Sequence, residues 1–245
     1  MVQKKSEVLE EGMIRISFEV QEINYEKCFE NLIPQLTKDI KSTTAPAELD
    51  KLIIRLGDDL VPVVNKLVGY LDTDTRDQII VWMVEKLQDT IVDSVNKALH
   101  DFLGSDAIMI GIIYVEDRPG PRITLHAAQV KTDSSQLTDS PALTGIIGGV
   151  AKLAFLFSDP RAVEKDVVKL LSSDYVKPKI ISTLSDGLRK AGLHLTLSDI
   201  VVREDTGKDK IPHMIDPEKD EGLLPDAIED KIIDALVAWL KGHLK

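Results

Sequence analysis

The sequence predicts an α+β fold that is mainly helical, in which helices cover a sheet of about four mostly antiparallel strands. Three observations support this class. Several segments alternate apolar and polar residues, as half-buried strands do. Longer segments repeat apolar residues every three or four positions, as amphipathic helices do. The order strand, helices, strand occurs twice, which predicts an internal duplication with a pseudo-two-fold arrangement.

The first predicted strand covers Met13 to Gln21 and has one apolar face. Its residues alternate in type, so one set should face a core and the other should face water. The apolar set is Ile14, Ile16, Phe18 and Val20, and the polar set is Arg15, Ser17, Glu19 and Gln21.

Helices follow this strand. Asn24 is a suitable N-cap for the first of them. Two more helices are predicted over 44–57 and 58–71. The strongest helical pattern begins at Thr75, where Thr75 and Gln78 form a capping-box sequence, and it ends at Gly104.

A β-hairpin is predicted in the middle of the chain. The strand from Ala107 to Val115 is apolar on both faces, so it should lie inside a sheet and be covered on each side. A turn at Asp117 to Pro121 leads to the returning strand, Arg122 to Val130.

The second half has a similar order of elements. Helices are predicted to start at Ser140, Asp159 and Asp174, and a strand follows from Leu193 to Val202. Residues 206–221 are polar with two prolines and indicate a linker, after which Pro225 opens a C-terminal amphipathic helix.

Short similar strings support the duplication. Ile112 to Asp117 ends one predicted strand, and Ile200 to Asp205 ends another 88 residues later. We therefore divide the chain into a first repeat at 1–117, a second repeat at 118–205 packed with the first into one domain, and a linker with a terminal helix at 206–245. Strands from both repeats should form one sheet.

Composition narrows the possible partners. The formal net charge is -11, so the surface should repel phosphate backbones, and we expect no nucleic-acid partner. The single cysteine, Cys28, excludes an internal disulfide and a thiolate metal cage, and its helical context favours a small buried side chain. No apolar run is long enough for a transmembrane segment. These features predict a cytoplasmic protein.

No sequence motif marks a site. We assign no catalytic residue, no cofactor-binding residue and no metal ligand, and we expect no cofactor. Two histidines, His126 and His194, fall on the polar faces of predicted strands, one in each repeat. If those strands are neighbours, the imidazoles could share a metal or act as an acid and base. Two separate exposed histidines are the simpler interpretation.

Three functions remain open. The first is a non-enzymatic interaction or assembly protein that associates with itself as a homodimer or with a protein partner, covering the apolar strand from Ala107 to Val115 and the terminal helix. The second is a binder of an apolar small molecule or lipid, with the helix from Ala142 to Phe157 as one wall. That helix could instead contact a membrane surface. The third is an enzyme that uses His126 and His194.

Overall fold

The computed structural model describes residues 7–8, 14–30, 69, 71–116, 123–156, 163–204 and 210–211. They form an α+β fold. The elements in chain order are β1 (Glu7–Val8), β2 (Ile14–Ile23), α1 (25–30), α2 (Thr73–Lys86), α3 (Gln88–Leu103), β3 (Ile108–Met109), β4 (Ile112–Val115), β5 (Thr124–Thr132), α4 (Ser134–Thr138), α5 (Pro141–Ile147), α6 (Val150–Leu156), α7 (Val163–Leu171), α8 (Lys177–Lys190), β6 (Leu195–Glu204) and β7 (Lys210–Ile211).

The main sheet is open, antiparallel and five-stranded. β2 lies between β5 and β6, and both β3 and β4 pair with the other edge of β5. The predicted hairpin is confirmed, because β4 pairs antiparallel with β5. The predicted count of about four strands is low by one, since the strand predicted from Ala107 to Val115 is divided into β3 and β4.

The division between β3 and β4 has a local cause on β5. Gln129 has a positive φ of 54°, which interrupts the regular pairing. The main chain of Ile110 bonds a side chain instead: its N–H donates to Asn96 Oδ1 at 2.7 Å, and its carbonyl accepts from Asn96 Nδ2 at 2.9 Å. The next residue, Gly111, lies close to Gln129, and a Cβ at Gly111 would come within 2.8 Å of the Gln129 Cβ.

One face of the sheet forms the main core. The apolar residues of β2 are almost completely buried, with Ile14, Ile16 and Phe18 each 1% exposed. Opposite them on β5 lie Leu125 and Ala127, which are also buried. Helix α3 packs on β4, α8 packs on β6, and the two helices pack on each other. The buried apolar set predicted for this strand is therefore confirmed, whereas Arg15 of the predicted polar set is buried and does not face water.

The helix predicted from Thr75 through Phe102 is two helices. α2 ends at Lys86, and α3 starts at Gln88 with Leu87 as its N-cap. The predicted capping box is wrong, because Asp72 Oδ1 accepts from the N–H of Thr75 at 2.7 Å and caps α2 instead. The predicted end at Gly104 is confirmed: this glycine has a φ of 76°, and its N–H donates to His100 O.

The apolar segment from Ala142 to Phe157 is also divided. Ser140 accepts from the N–H of Leu143 and caps α5, with Pro141 in the first turn, as predicted. The helix then ends at Gly148, whose φ of 79° and the φ of 142° at Gly149 are not helical, and α6 begins at Val150. The single long helix predicted here is therefore wrong.

The chain divides into two compact units. The first contains Met1–Ile23, Val84–Ala191 and Leu195–Ile215, and so holds the five-stranded sheet. The second contains Asn24–Met83, Gly192–His194 and Asp216–Lys245. Within the second unit, Asn24 Oδ1 accepts from the N–H of Lys27, which confirms the predicted cap.

Cys28 is completely buried in the second unit, as the sequence predicted. Its Sγ accepts a hydrogen bond from the N–H of His194 at 3.2 Å. Burial raises the pKa of the thiol to about 11, so the group stays protonated at neutral pH. A structural role follows, since the thiolate is the reactive form of cysteine.

Several predictions differ at their ends or lie outside the described residues. The last strand of the main sheet covers Leu195–Glu204 rather than Leu193 to Val202, and α8 starts at Lys177 rather than at Asp174. A small two-stranded sheet of β1 and β7 was not predicted. The predictions outside the described residues are the helices at 44–57 and nearly all of 58–71, the turn at 117–121, the helix start at 159, most of the linker, and the terminal helix.

Candidate functional site

A group of polar residues lies on the face of the sheet opposite the β2 core residues. We call it the polar face. Its members come from four strands or their ends and are related by strand pairing: Ser17 is opposite both His126 and Val201, Tyr114 is opposite His126, and Arg15 is opposite Arg203. Arg15, Tyr114 and His126 are buried, whereas Val201 and Arg203 are exposed. The polar face is therefore buried around His126 and exposed to solvent along β6.

Three side chains of the polar face form a hydrogen-bonded chain. Ser17 Oγ lies 2.9 Å from His126 Nδ1, and His126 Nε2 lies 3.1 Å from Glu116 Oε2. An ionised Glu116 accepts the hydrogen bond from Nε2–H, which leaves Nδ1 to accept the bond from the serine hydroxyl. The imidazole therefore connects a hydroxyl to a carboxylate.

The surroundings of His126 favour its neutral form. Burial is the largest cause of a lowered pKa, and the positive charges of Arg15 and Arg203 also lower it, while Glu116 acts in the opposite direction. The ring stacks on Tyr114, with 5.3 Å between ring centroids. A neutral, fixed imidazole whose Nδ1 faces a hydroxyl is able to act as a general base toward that hydroxyl.

The two histidines named from the sequence are not brought together. His126 lies on a strand as predicted, but β2 separates β5 from β6, so the expectation that the two histidine-bearing strands are neighbours is wrong. His194 precedes β6 and belongs to the other compact unit, where its carbonyl accepts from the N–H of Asn24. A shared metal or an acid–base pair of these histidines is therefore not supported.

The residues that do contact His126 were not singled out from the sequence. Ser17 belongs to the predicted polar set of the first strand, and Glu116 follows the strand that pairs with β5. Strand alternation placed Ser17 on the polar side of its strand. It could not pair Ser17 with His126, because that contact depends on which strands are neighbours and in which register.

The outer edge of β6, the edge that faces away from β2, is a second feature of the sheet. Among the residues that the structure describes, β6 pairs with β2 alone. Val201 is 48% exposed and is one of few large apolar side chains exposed to this degree there. Asp199 accepts from the N–H of Ile200 at 2.8 Å and forms an ion pair with Lys177. Ile200 and Val202, which flank Val201, are buried, so the exposed part of β6 lies on the polar face.

Other types of site are not indicated in the described part of the chain. No group of three or more histidine, cysteine, aspartate or glutamate residues there could hold a metal ion. Across the same residues, no helix has both the length and the apolar character needed to cross a bilayer. No protein-family model, curated protein or solved structure matches the sequence. The geometry of the sheet is therefore the basis for any functional proposal.

Proposed function

We propose that this chain is a non-enzymatic interaction protein that associates with a second copy of itself through the exposed side chains of β6 around Val201. The observation that carries the proposal is the exposure of Val201 in the middle of a ten-residue strand for which β2 is the described partner. A second copy that covers Val201 would remove the apolar surface of this side chain from water.

Exposure along this strand supports the proposal. Thr196, Ser198, Val201, Arg203 and Glu204 are all exposed, while the alternate residues face the core. A second copy could therefore contact these side chains without displacing core side chains.

Sedimentation velocity over a wide range of protein concentration tests the proposal. The wild-type chain should sediment as a dimer at high concentration, and Val201→Lys should shift the equilibrium toward monomer by at least tenfold. Met109→Lys is the matched control, since Met109 is 43% exposed on β3, at the opposite edge of the sheet. A wild-type chain that stays monomeric throughout would contradict the proposal.

A second candidate function rests on the Ser17–His126–Glu116 chain. In this alternative, His126 Nδ1 takes the Ser17 proton while Oγ attacks the acyl carbon of an ester. The carbon–oxygen bond of the ester breaks, and the departing alcohol takes the proton from His126. Water, activated by the same imidazole, then releases the acid and restores Ser17.

A fluorophosphonate probe tests this alternative, because it forms a stable adduct on serine hydroxyls that a neighbouring base activates. Mass spectrometry should locate the adduct on Ser17, and His126→Gln should abolish it. Ser198 is the control serine, since it is exposed on β6 and its Oγ donates to Glu19 O rather than to an imidazole. An unmodified Ser17 would exclude an activated nucleophile.

The duplication is retained as a proposal, and the strand order supports it. Exchanging β2 with β5 and β4 with β6 in the order β4-β5-β2-β6 gives the same order read from the other edge of the sheet. Helices α3 and α8, which precede β3 and β6, pack on each other and exchange in the same way. Binding of an apolar small molecule or lipid remains an alternative, although the single helix expected to line that pocket is two short helices.

A further inference from the structure

We infer that the Ser17 site takes an ester that carries an ammonium group, which Glu19 binds while Val201 contacts an apolar part of the same molecule. This inference rests on the second candidate function, in which Ser17 is the nucleophile, and it names the substrate class of that site. It follows from which neighbours of Ser17 are open to solvent and from the chemistry of those neighbours.

The hydroxyl of Ser17 is open to solvent on one side. His126 on β5 and Arg15 on β2 are buried, with 9% and 5% of their surface exposed. Val201, which lies opposite Ser17 on β6, is 48% exposed, and Glu19 is exposed as well. A substrate whose acyl carbon reaches Ser17 Oγ must therefore lie over Glu19 and Val201.

The strand register places these side chains close enough to Ser17 for one small molecule to contact them. From Ser17 to Glu19, β2 keeps a regular register with both β5 and β6, so the two residues lie on the same face. They are about 7 Å apart along the strand, because each residue advances the chain by about 3.4 Å. Val201 is on the neighbouring strand, about 5 Å from Ser17. The three side chains therefore surround a space of the size of a small ester.

The carboxylate of Glu19 supplies the charge on this open side. In the described part of the chain, no hydrogen bond or ion pair involves this carboxylate, whereas Asp199, directly opposite on β6, forms an ion pair with Lys177. Like charges directly opposite each other on a sheet are destabilising. A cation bound at Glu19 would relieve this repulsion, and the formal net charge of -11 attracts cations to the protein as a whole.

The chemistry of the neighbours favours an organic cation over a metal ion. A metal ion needs several ligands, and no group of three or more suitable side chains occurs among the described residues. One carboxylate is sufficient to pair with an ammonium group. Val201 adds an apolar contact, because covering it removes apolar surface from water. The substrate class is therefore a small ester with one cationic part and one apolar part.

Two phosphonothioate probes with the same phosphonyl group test this class. The leaving thiol of one ends in trimethylammonium, and that of the other ends in neutral tert-butyl, which has nearly the same shape. With either probe, Ser17 Oγ bonds to phosphorus, the phosphorus–sulfur bond breaks, and the Ser17 proton passes through His126 to the departing thiolate. Mass spectrometry over time measures both labelling rates. The cationic probe should react about fivefold faster, as expected from one exposed ion pair.

Two glutamate variants separate a contact with Glu19 from a general effect of charge. Glu19→Gln should bring the ratio of the two rates close to one, because the amide keeps the shape of the side chain without its charge. Glu22→Gln is the matched control, since Glu22 is exposed on the same strand but farther from Ser17, and the ratio should not change.

Three results would overturn the substrate class and leave the second candidate function in place. They are equal rates in the wild-type chain, a ratio that Glu19→Gln does not change, and a ratio that falls equally in both variants. If neither probe modifies Ser17, the second candidate function fails together with this inference.

Discussion

Asn96 lies on helix α3, yet its amide group completes the hydrogen bonding of a residue in the sheet. It accepts from the N–H of Ile110 and donates to the carbonyl of the same residue, at the point where β3 and β4 separate. In the sequence, the helical spacing of the residues around Asn96 did not indicate that its side chain bonds the sheet. The side chain replaces the β5 main chain at this point of the ladder.

Replacing Asn96 should therefore be costly. Asn96→Ala leaves two main-chain groups of Ile110 without their partner, and we expect the free energy of unfolding to fall by about 1–3 kcal/mol. Urea denaturation measures this change. Lys97→Ala, on the exposed side of the same helix, should change stability by less than about 0.5 kcal/mol. Equal effects of the two variants would show that the Asn96 bonds contribute little.

His126 should make stability depend on pH. Its folded-state pKa lies below the ordinary value of 6.5, so the unfolded chain takes up the proton first as the pH falls. Stability should be fully present above about pH 6.5 and should decrease as the pH falls through and below that value. Glu116 opposes this shift, whereas Arg15 and Arg203 favour it.

The measurement compares wild-type and His126→Gln chains in urea at pH 7.5 and pH 5.5. The wild-type chain should lose more stability than the variant over this interval, because only the wild type carries the titrating imidazole at this position. Carboxylates and other histidines contribute equally to both chains and cancel. A wild-type chain that is stabilised relative to the variant at the lower pH would mean that Glu116 dominates.

At the scale of whole elements, the contact between α3 and α8 depends on a glycine. A Cβ added at Gly187 on α8 would lie 2.7 Å from Val95 Cα on α3, so the helices pack backbone to backbone at this point. The sequence showed the apolar stripes of both helices. It did not indicate that they cross each other at Gly187, because a stripe specifies a buried face but not its partner.

Two glycine substitutions separate packing from helix propensity. Gly187→Ala should destabilise the protein by about 1–3 kcal/mol, because the helices must move apart. Gly145→Ala on α5 should instead stabilise it by about 0.5–1 kcal/mol, since no atom lies within 4 Å of the added Cβ and alanine favours the helix. Thermal unfolding of both variants measures whether the first lowers and the second raises the stability of the protein. A stabilising Gly187→Ala would show that the helices do not pack this closely.

At the scale of the whole molecule, association must overcome like net charge. Each copy carries a formal net charge of -11, so two copies repel each other at long range. Association therefore requires a contact that outweighs this repulsion, and burial of Val201 against the second copy would contribute to it.

Self-association should make the thermal midpoint depend on protein concentration. A partner that binds only the folded chain stabilises it by mass action, so the midpoint should rise as the concentration increases tenfold and again a hundredfold. Val201→Lys should remove this dependence, while Met109→Lys should keep it. Scanning calorimetry or fluorimetry at several concentrations provides the measurement. A midpoint that does not change with wild-type concentration would contradict the proposal.

The sequence by itself determined the local elements of this protein. The alternation from Ile14 to Val20, the helix end at Gly104 and the helix start at Ser140 all follow from side-chain periodicity or from caps within a few residues, and the structure confirms them. The presence of both alternating and helical patterns also predicted the α+β class. These properties depend on neighbours in the chain, so they can be read without knowing the fold.

Only the tertiary structure decided which elements meet. It placed β2 between β5 and β6, which separated His126 from His194 and brought His126 to Ser17 and Glu116. It also left one edge of β6 without a described partner strand. The physical reason is that strand order and register depend on contacts between residues distant in sequence, and alternation alone fits many such arrangements equally well.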